Sequence, residues 1–241
     1  MICPMDEGTL PFLSRRRELD ALVEALRTRQ SRLITGPAGV GKTRLIEEAL
    51  VLAGAPHIWI PSWPKVLHEL LVAMAASLDC RPTQSVQLKE STSAVLKTMI
   101  LRQLGERPQC VVLDHVRFAE PRTYRFLQEI YYLRGCSLLV AACSRADIGY
   151  LWKLLWDPRE EIALRPLPRP EAYRLFDLAA SRHQLDKTVI NSLRDRVVSA
   201  AHGIPGLIVA MCRLARSPEY RDGERVLFVT LRIDAMISTT Q

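Results

Sequence analysis

Residues 36–43, Gly36-Pro37-Ala38-Gly39-Val40-Gly41-Lys42-Thr43, fit the pattern G-x-x-x-x-G-K-[ST] at every fixed position. The chemistry of that pattern is the cradling of phosphate. Its glycines let the backbone curl, so that several N–H groups converge on phosphate oxygens. A helix starting near Gly41 adds the positive end of its dipole. Lys42 is placed to reach the β and γ phosphates, and the Thr43 hydroxyl to ligate Mg²⁺. Arg44 is grouped with the same phosphate-binding set. An apolar run, Leu33-Ile34-Thr35, precedes the motif and a helical run, residues 44–50, follows it. That strand–loop–helix setting is the one the motif requires. A nucleoside triphosphate with Mg²⁺ is the expected ligand.

Three further residues join the chemistry. Asp114 closes the apolar run Cys110-Val111-Val112-Leu113. A carboxylate at such a strand end holds Mg²⁺ beside Thr43, usually through a water; an N-cap for the next segment is the other use of an Asp there. His115 follows, where hydrolysing relatives carry Glu or Asp to orient the attacking water. A neutral imidazole also accepts a proton. Slow hydrolysis, help from another acid such as Glu120, a binding switch, or a merely structural His115 all fit this residue. Arg145 ends a second apolar run, residues 137–143, where a guanidinium either senses the γ-phosphate or lies on the surface. Lys42, Asp114, His115 and Arg145 are the catalytic candidates. His202 stands either near the nucleotide or in helix packing. Trp59, Trp63, Trp152 and Trp156 read as packing residues rather than as a base-stacking platform.

The elements that must position these groups alternate. Residues 32–35, 57–60, 110–114, 137–143 and 161–164 read as strands, the third ending at Asp114. Helices are expected from Ser14 as N-cap to Gln30, after the phosphate loop, and over 64–78, 85–105, 120–133 and 150–156. The pattern predicts an α/β fold of the P-loop NTPase kind, a doubly wound parallel sheet with flanking helices. Ligands bind such sheets at the carboxyl ends of the strands, where residues 36–43, Asp114 and Ser144-Arg145 should meet. After Pro166, Pro168 and Pro170 the alternation stops. Helices near 170–182, 187–201 and 206–216 then suggest a small helical lid, giving domains over 1–165 and 166–241. Residues 226–233 read as either helix or strand.

Composition narrows the partners. The 241 residues are 48% hydrophobic, enough for a packed core, with a formal charge of +7. The excess is scattered arginine, which permits nucleic acid without demanding it. None of the six cysteines forms a C-x-x-C pair, no Cys/His spacing suggests zinc, and a reducing cytoplasmic setting fits. Residues 1–8 lack a signal-peptide pattern, and the apolar stretch over 197–215 is broken by His202, Gly203, Pro205 and Gly206, so no membrane span is expected.

In order along the chain, these segments resemble the STAND and AAA+ branch of P-loop ATPases. Phe12-Leu13-Ser14-Arg15-Arg16-Arg17-Glu18-Leu19 resembles the F-[VL]-G-R-x-x-E-L box, with Ser14 at the glycine position. Residues 36–43 and 111–114 match Walker A and Walker B, and Ala142-Cys143-Ser144-Arg145 resembles the sensor-1 segment. Residues 164–172 resemble the L-x-P-L-x-x-x-E-A lead-in to the lid, and His202-Gly203-Ile204-Pro205-Gly206 resembles the G-x-P turn. The resemblance implies ATP with Mg²⁺ as cofactors, Phe12 and Leu13 against adenine, and Pro205 reading the nucleotide from the lid. It implies a regulated ATPase whose lid closes on ATP, self-association on ATP with an arginine supplied between subunits (Arg134 and Arg159 being candidates), and a separate protein partner. A DNA-acting ATPase and a non-hydrolysing scaffold are the alternatives. No guanine-specifying N-K-x-D is present.

Overall fold

The computed structural model describes residues 14–80, 88–222 and 225–240. These divide into two compact units. One comprises Arg16–Gly36 and Lys42–Leu164; the other joins Pro37–Gly41 to the chain from Arg165 onward, with Arg15.

The first unit is built on five parallel strands, β1 (Arg32–Thr35), β2 (His57–Ile60), β3 (Cys110–Val116), β4 (Ser137–Ala142) and β5 (Glu161–Ala163), in the order β2-β3-β4-β1-β5. All six residues of β4 are buried, the pattern of a strand covered on both faces. Leu138, Val140 and Ala142 of β4 join Leu33, Val111 and Leu113 in one core. That core is completed by Leu70, Leu71 and Met74 of α3 (Leu67–Ser77), by Leu96, Ile100 and Leu104 of α4 (Ser93–Glu106), and by Phe126, Leu127 and Ile130 of α5 (Pro121–Tyr132). The alternate strand residues Ile34, Val112, Leu139 and Ala141 are equally buried and face the other side. α1 (Arg16–Arg27) and α2 (Lys42–Ala53) pack against each other.

Several expectations need correction. α1 begins at Arg16, not after a Ser14 cap. Ser14 and Arg15 both have positive φ, 55° and 84°. Positive φ is where glycine is favoured, so a serine there carries strain that the usual glycine would not. β3 does not end at Asp114. It runs on to Val116 through a register shift between Leu113 and Val116, with His115 at φ 51°. Such a bulge re-aims side chains beside a site. α3 and α4 start later than expected, at Leu67 and Ser93; in α4 Thr92 caps the start through its hydroxyl, and a 3₁₀ turn, Leu88–Glu90, comes before it. The segment expected as a helix over 150–156 is instead a 3₁₀ run over Arg145–Lys153, broken at Gly149. Trp152 and Trp156 are exposed rather than packed, at 52% and 67%.

The second unit contains α6 (Arg169–Arg182), α7 (Lys187–Ala201), α8 (Pro205–Leu214) and α9 (Phe228–Thr240). Phe176, Leu193, Val197, Ile208, Met211 and Leu231 form its core. The open stretch over 226–233 resolves as the start of α9, after a short ladder of Arg221–Asp222 with Arg225–Val226. Leu231 and Ala235, one helical turn apart, are its buried stripe. α7 ends at His202 in the left-handed region, and Gly203 follows at φ 76°. Any Cβ on Gly203 would strike the Leu167 carbonyl, and that approach lets the Leu167 N–H donate to Gly203 O at 2.7 Å. Among the described residues no helix is long and apolar enough to cross a membrane.

Phe176 is fully buried, so Phe176→Ala should destabilise the chain by about 3–5 kcal/mol. An unchanged urea midpoint would contradict the packing described.

Candidate nucleotide site

At the carboxyl ends of the strands, β1 runs into the phosphate loop. The Gly36 N–H donates to Cys143 O at 3.1 Å, fastening the loop's start to the end of β4. α2 begins at Lys42, so its first N–H groups have no partner inside the helix and face an anion by default. Lys42 is buried, 6% exposed, with Nζ donating to Gly36 O at 2.7 Å. Burial holds its pKa below the usual lysine value, opposed by the nearby Cys143 and Asp114. A phosphate oxygen beside Nζ would favour the charged form further.

Thr43 and Asp114 meet directly. The Thr43 hydroxyl donates to Asp114 Oδ2 at 2.7 Å, and the His115 N–H donates to Oδ1 at 2.8 Å. Asp114 is 1% exposed. A buried carboxylate touching a hydroxyl at the mouth of a phosphate loop is a donor set of hard oxygens, which fits Mg²⁺. Thr43 would ligate through a hydroxyl lone pair while its O–H keeps donating to the Asp114 carboxylate. Held there, Mg²⁺ would supply positive charge against a triphosphate. Glu47, one helical turn after Thr43, has its pKa raised by burial and by Asp114 and Glu48 nearby, against Arg44. It is a carboxylate that sequence reading passed over, although its i+4 spacing from Thr43 was the signal. Arg44 itself pairs with Glu47 and Glu48, at 3.9 and 3.5 Å.

His115 sits on the bulge with its side chain 60% exposed, Nε2 lying 3.8 Å from Asp114 Oδ2. The imidazole borders the carboxylate from the open side. Arg145 is turned elsewhere. Its Nε donates to Glu161 Oε2 at 2.9 Å, and Nη1 to Leu155 O at 2.6 Å. Glu161 Oε1 also accepts from the Thr35 hydroxyl at 2.6 Å, one residue before the loop. Glu161 therefore links β5, the end of β1 and the segment after β4. Sequence reading missed it because its partners lie 126 and 16 residues away. Of the arginine candidates for a neighbouring subunit, Arg159 is held by Asp157 through Nε and Nη2.

The middle of the loop belongs to the second unit. Val40 is buried, and its N–H donates to Pro37 O at 3.2 Å. The Gly206 N–H, next to Pro205 in the first turn of α8, donates to Gly39 O at 2.9 Å. Gly39 lies at φ 71°, and a Cβ there would meet Thr239 Cγ2 and Ile204 Cγ2. A side chain at this position is excluded twice over, by backbone conformation and by contact. Ala38 and Gly41 complete the loop, and Arg15 Nη2 donates to Arg165 O at 3.1 Å. Phe12 and Leu13 lie outside the described residues.

The sequence profile described as AAA ATPase domain matches residues 11–141. No curated protein matches the sequence. Solved structures share the fold. Cdc6p from Pyrobaculum aerophilum is 14% identical, with 89% of this chain and 64% of that one covered at a TM-score of 0.65. The RuvB Holliday junction branch migration motor of Thermotoga maritima is 14% identical, with 92% and 67% covered at 0.59. A signal transduction ATPase with numerous domains (STAND) and a tetratricopeptide repeat sensor, from Pyrococcus horikoshii, is 15% identical, with 98% and 34% covered at 0.53. The chain thus spans 64% of the first of these and 34% of the last. At such identities the likeness establishes the fold. The chain belongs to the AAA ATPase domain family.

Three variants test this geometry. Lys42→Ala should lower triphosphate affinity roughly 10- to 150-fold through loss of a charge-assisted contact, and Asp114→Asn should weaken binding more with Mg²⁺ than without it. Equal loss with and without Mg²⁺ would refute the metal role. Glu161→Gln should lower stability by about 1–2 kcal/mol, because Arg145 loses its ion pair. An unmoved urea midpoint would show that the Thr35–Glu161–Arg145 link is idle.

Proposed function

We propose that this AAA ATPase domain is an ATP-dependent switch of the STAND type, which binds ATP with Mg²⁺ and in that state recruits a separate protein partner or a further copy of itself. One observation carries the reading. The groups that bind triphosphate and metal are assembled, with Lys42 buried at the loop and Thr43 on Asp114, whereas the residue after Asp114 is an exposed histidine. In this reading Lys42, Thr43 and Asp114 serve binding, while a histidine stands where a water-orienting acid would be expected. Tight binding with slow turnover is the behaviour such a site supports.

The chain's own residues divide the work. Backbone N–H groups at the start of α2 and Lys42 hold phosphate; Thr43 and Asp114 hold the metal. His115, exposed and with Nε2 3.8 Å from Asp114 Oδ2, would be the group that accepts a water proton. Gly206, donating to Gly39, ties the state of the phosphate loop to the first turn of α8.

A second reading, a DNA-acting ATPase, is favoured by the +7 charge and by the exposed aromatic residues after β3 and β4. A non-hydrolysing scaffold is the limit of the first reading, with turnover at zero.

ATP turnover by the purified chain, alone and with duplex DNA, tests the proposal. Slow turnover unaffected by DNA is expected, and His115→Glu should raise it at least tenfold, within the range that general-base catalysis contributes. Fast turnover by the native chain would overturn the switch reading. An unchanged rate in His115→Glu would show that the missing acid does not limit hydrolysis.

A further inference from the structure

The segments that leave β3 and β4 build a second surface, independent of the phosphate loop. Gly149, at φ 55°, lets the 3₁₀ run press onto the β3–α5 connection: a Cβ there would lie 2.6 Å from Ala119 N and 3.2 Å from Phe118 Cδ2. The Tyr150 N–H donates to Ala119 O at 3.1 Å. The two segments are thus locked together, and their aromatic rings are held in place. Phe118 and Tyr150 meet edge to face with centroids 6.5 Å apart, and Tyr124 stands 6.4 Å from Tyr150. The Lys153 ammonium lies over both tyrosines, 5.1 Å from Tyr150 and 5.9 Å from Tyr124.

Tyr124 packs against the core, but the other two rings are open. Phe118 is 63% exposed and Tyr150 37%, and Trp152 adds another open ring from the same 3₁₀ run. Leaving such area in water costs stability, so a fixed, open aromatic group needs a reason. The charge around it indicates the partner. Over residues 117–125 and 146–153 there are four cations, Arg117, Arg122, Arg125 and Lys153, and two carboxylates, Glu120 and Asp147. Asp147 already accepts from the Ser144 hydroxyl at 2.8 Å. The three arginines are exposed and enter no ion pair among the described residues.

Pre-set aromatic rings, with Lys153 against two of them and three exposed arginines in the adjoining sequence, match a polyanion that carries flat rings. We propose that Phe118, Tyr150 and Trp152 form a stacking platform for single-stranded nucleic acid, with Arg117, Arg122, Arg125 and Lys153 receiving its phosphates. An acidic peptide would satisfy the cations and leave the rings in water. A strand satisfies both, since each base offers a π face whatever its sequence. The proposal goes beyond nucleotide binding and does not rest on it.

The test is fluorescence anisotropy of a labelled oligothymidylate of about 20 nucleotides with the full chain, without ATP, at about 50 mM and about 200 mM salt. Binding that weakens with salt is expected. Phe118→Ala and Trp152→Ala should each reduce affinity roughly tenfold, while Phe118→Tyr keeps it. Arg122→Gln should lower the slope of log affinity against log salt by about one, as for one lost phosphate contact. Absence of binding at low salt overturns the proposal. So does native-like affinity in the Phe118→Ala, Trp152→Ala double variant, and so does equal competition by polyglutamate, which would leave charge alone as the cause. Should the alanine variants unfold, the salt slope of Arg117→Gln, Arg122→Gln decides, an unchanged slope counting against the site.

Discussion

The hydrogen bond from Thr43 to Asp114, 2.7 Å long, joins two elements that have no other reason to meet at their tips. Thr43 belongs to the first turn of α2, which follows β1. Asp114 belongs to β3, and β4 lies between those strands. The contact therefore spans a strand. β4 ends in Ala141 and Ala142, and the Gly36 N–H donates to the next carbonyl, Cys143 O. A carboxylate as buried as Asp114 is costly without partners. Thr43 and the His115 N–H supply two, and a metal ion would complete the set. The sheet order and the loop geometry are together what bring a hydroxyl, a carboxylate and a lysine to one point.

Next to that point the chain uses a second polar link for a different purpose. Glu161 takes the Thr35 hydroxyl with one oxygen and the Arg145 guanidinium with the other. Arg145 also donates to Leu155 O. The arginine that a sequence would assign to phosphate sensing is committed here to holding β5 and the segment after β4 against the end of β1. Lys42 is then the cation that the geometry presents at the loop. Arg15 lies beside the loop as well, its Nη1 3.5 Å from where a Cβ on Gly41 would stand.

Much of this was legible in the residues. The phosphate loop and the alternation of strands and helices read directly, because glycine spacing and continuous apolar runs are local signals. The helices of the second unit read as well, since Val189, Leu193 and Val197 keep one face. What failed was set by contacts distant in sequence or by backbone conformation. The bulge that carries β3 past Asp114 rests on pairing between Val116 and Ala142, which no local pattern announces. Ser14 at φ 55° occupies a position where glycine would have signalled the turn. Trp152 and Trp156 were read as packing residues because large aromatic residues usually are, whereas both stay open. Glu161 looked like a strand's first residue, and its two partners made it a junction.

The central claim is that a metal ion and a triphosphate bind together at Lys42, Thr43 and Asp114. Manganese substituted for magnesium makes this directly visible. Electron paramagnetic resonance of Mn²⁺ titrated with the chain should show one bound ion per chain only when a non-hydrolysable ATP analogue is present. Nucleotide bound equally well in a metal chelator, with no change in the Mn²⁺ signal, would contradict it.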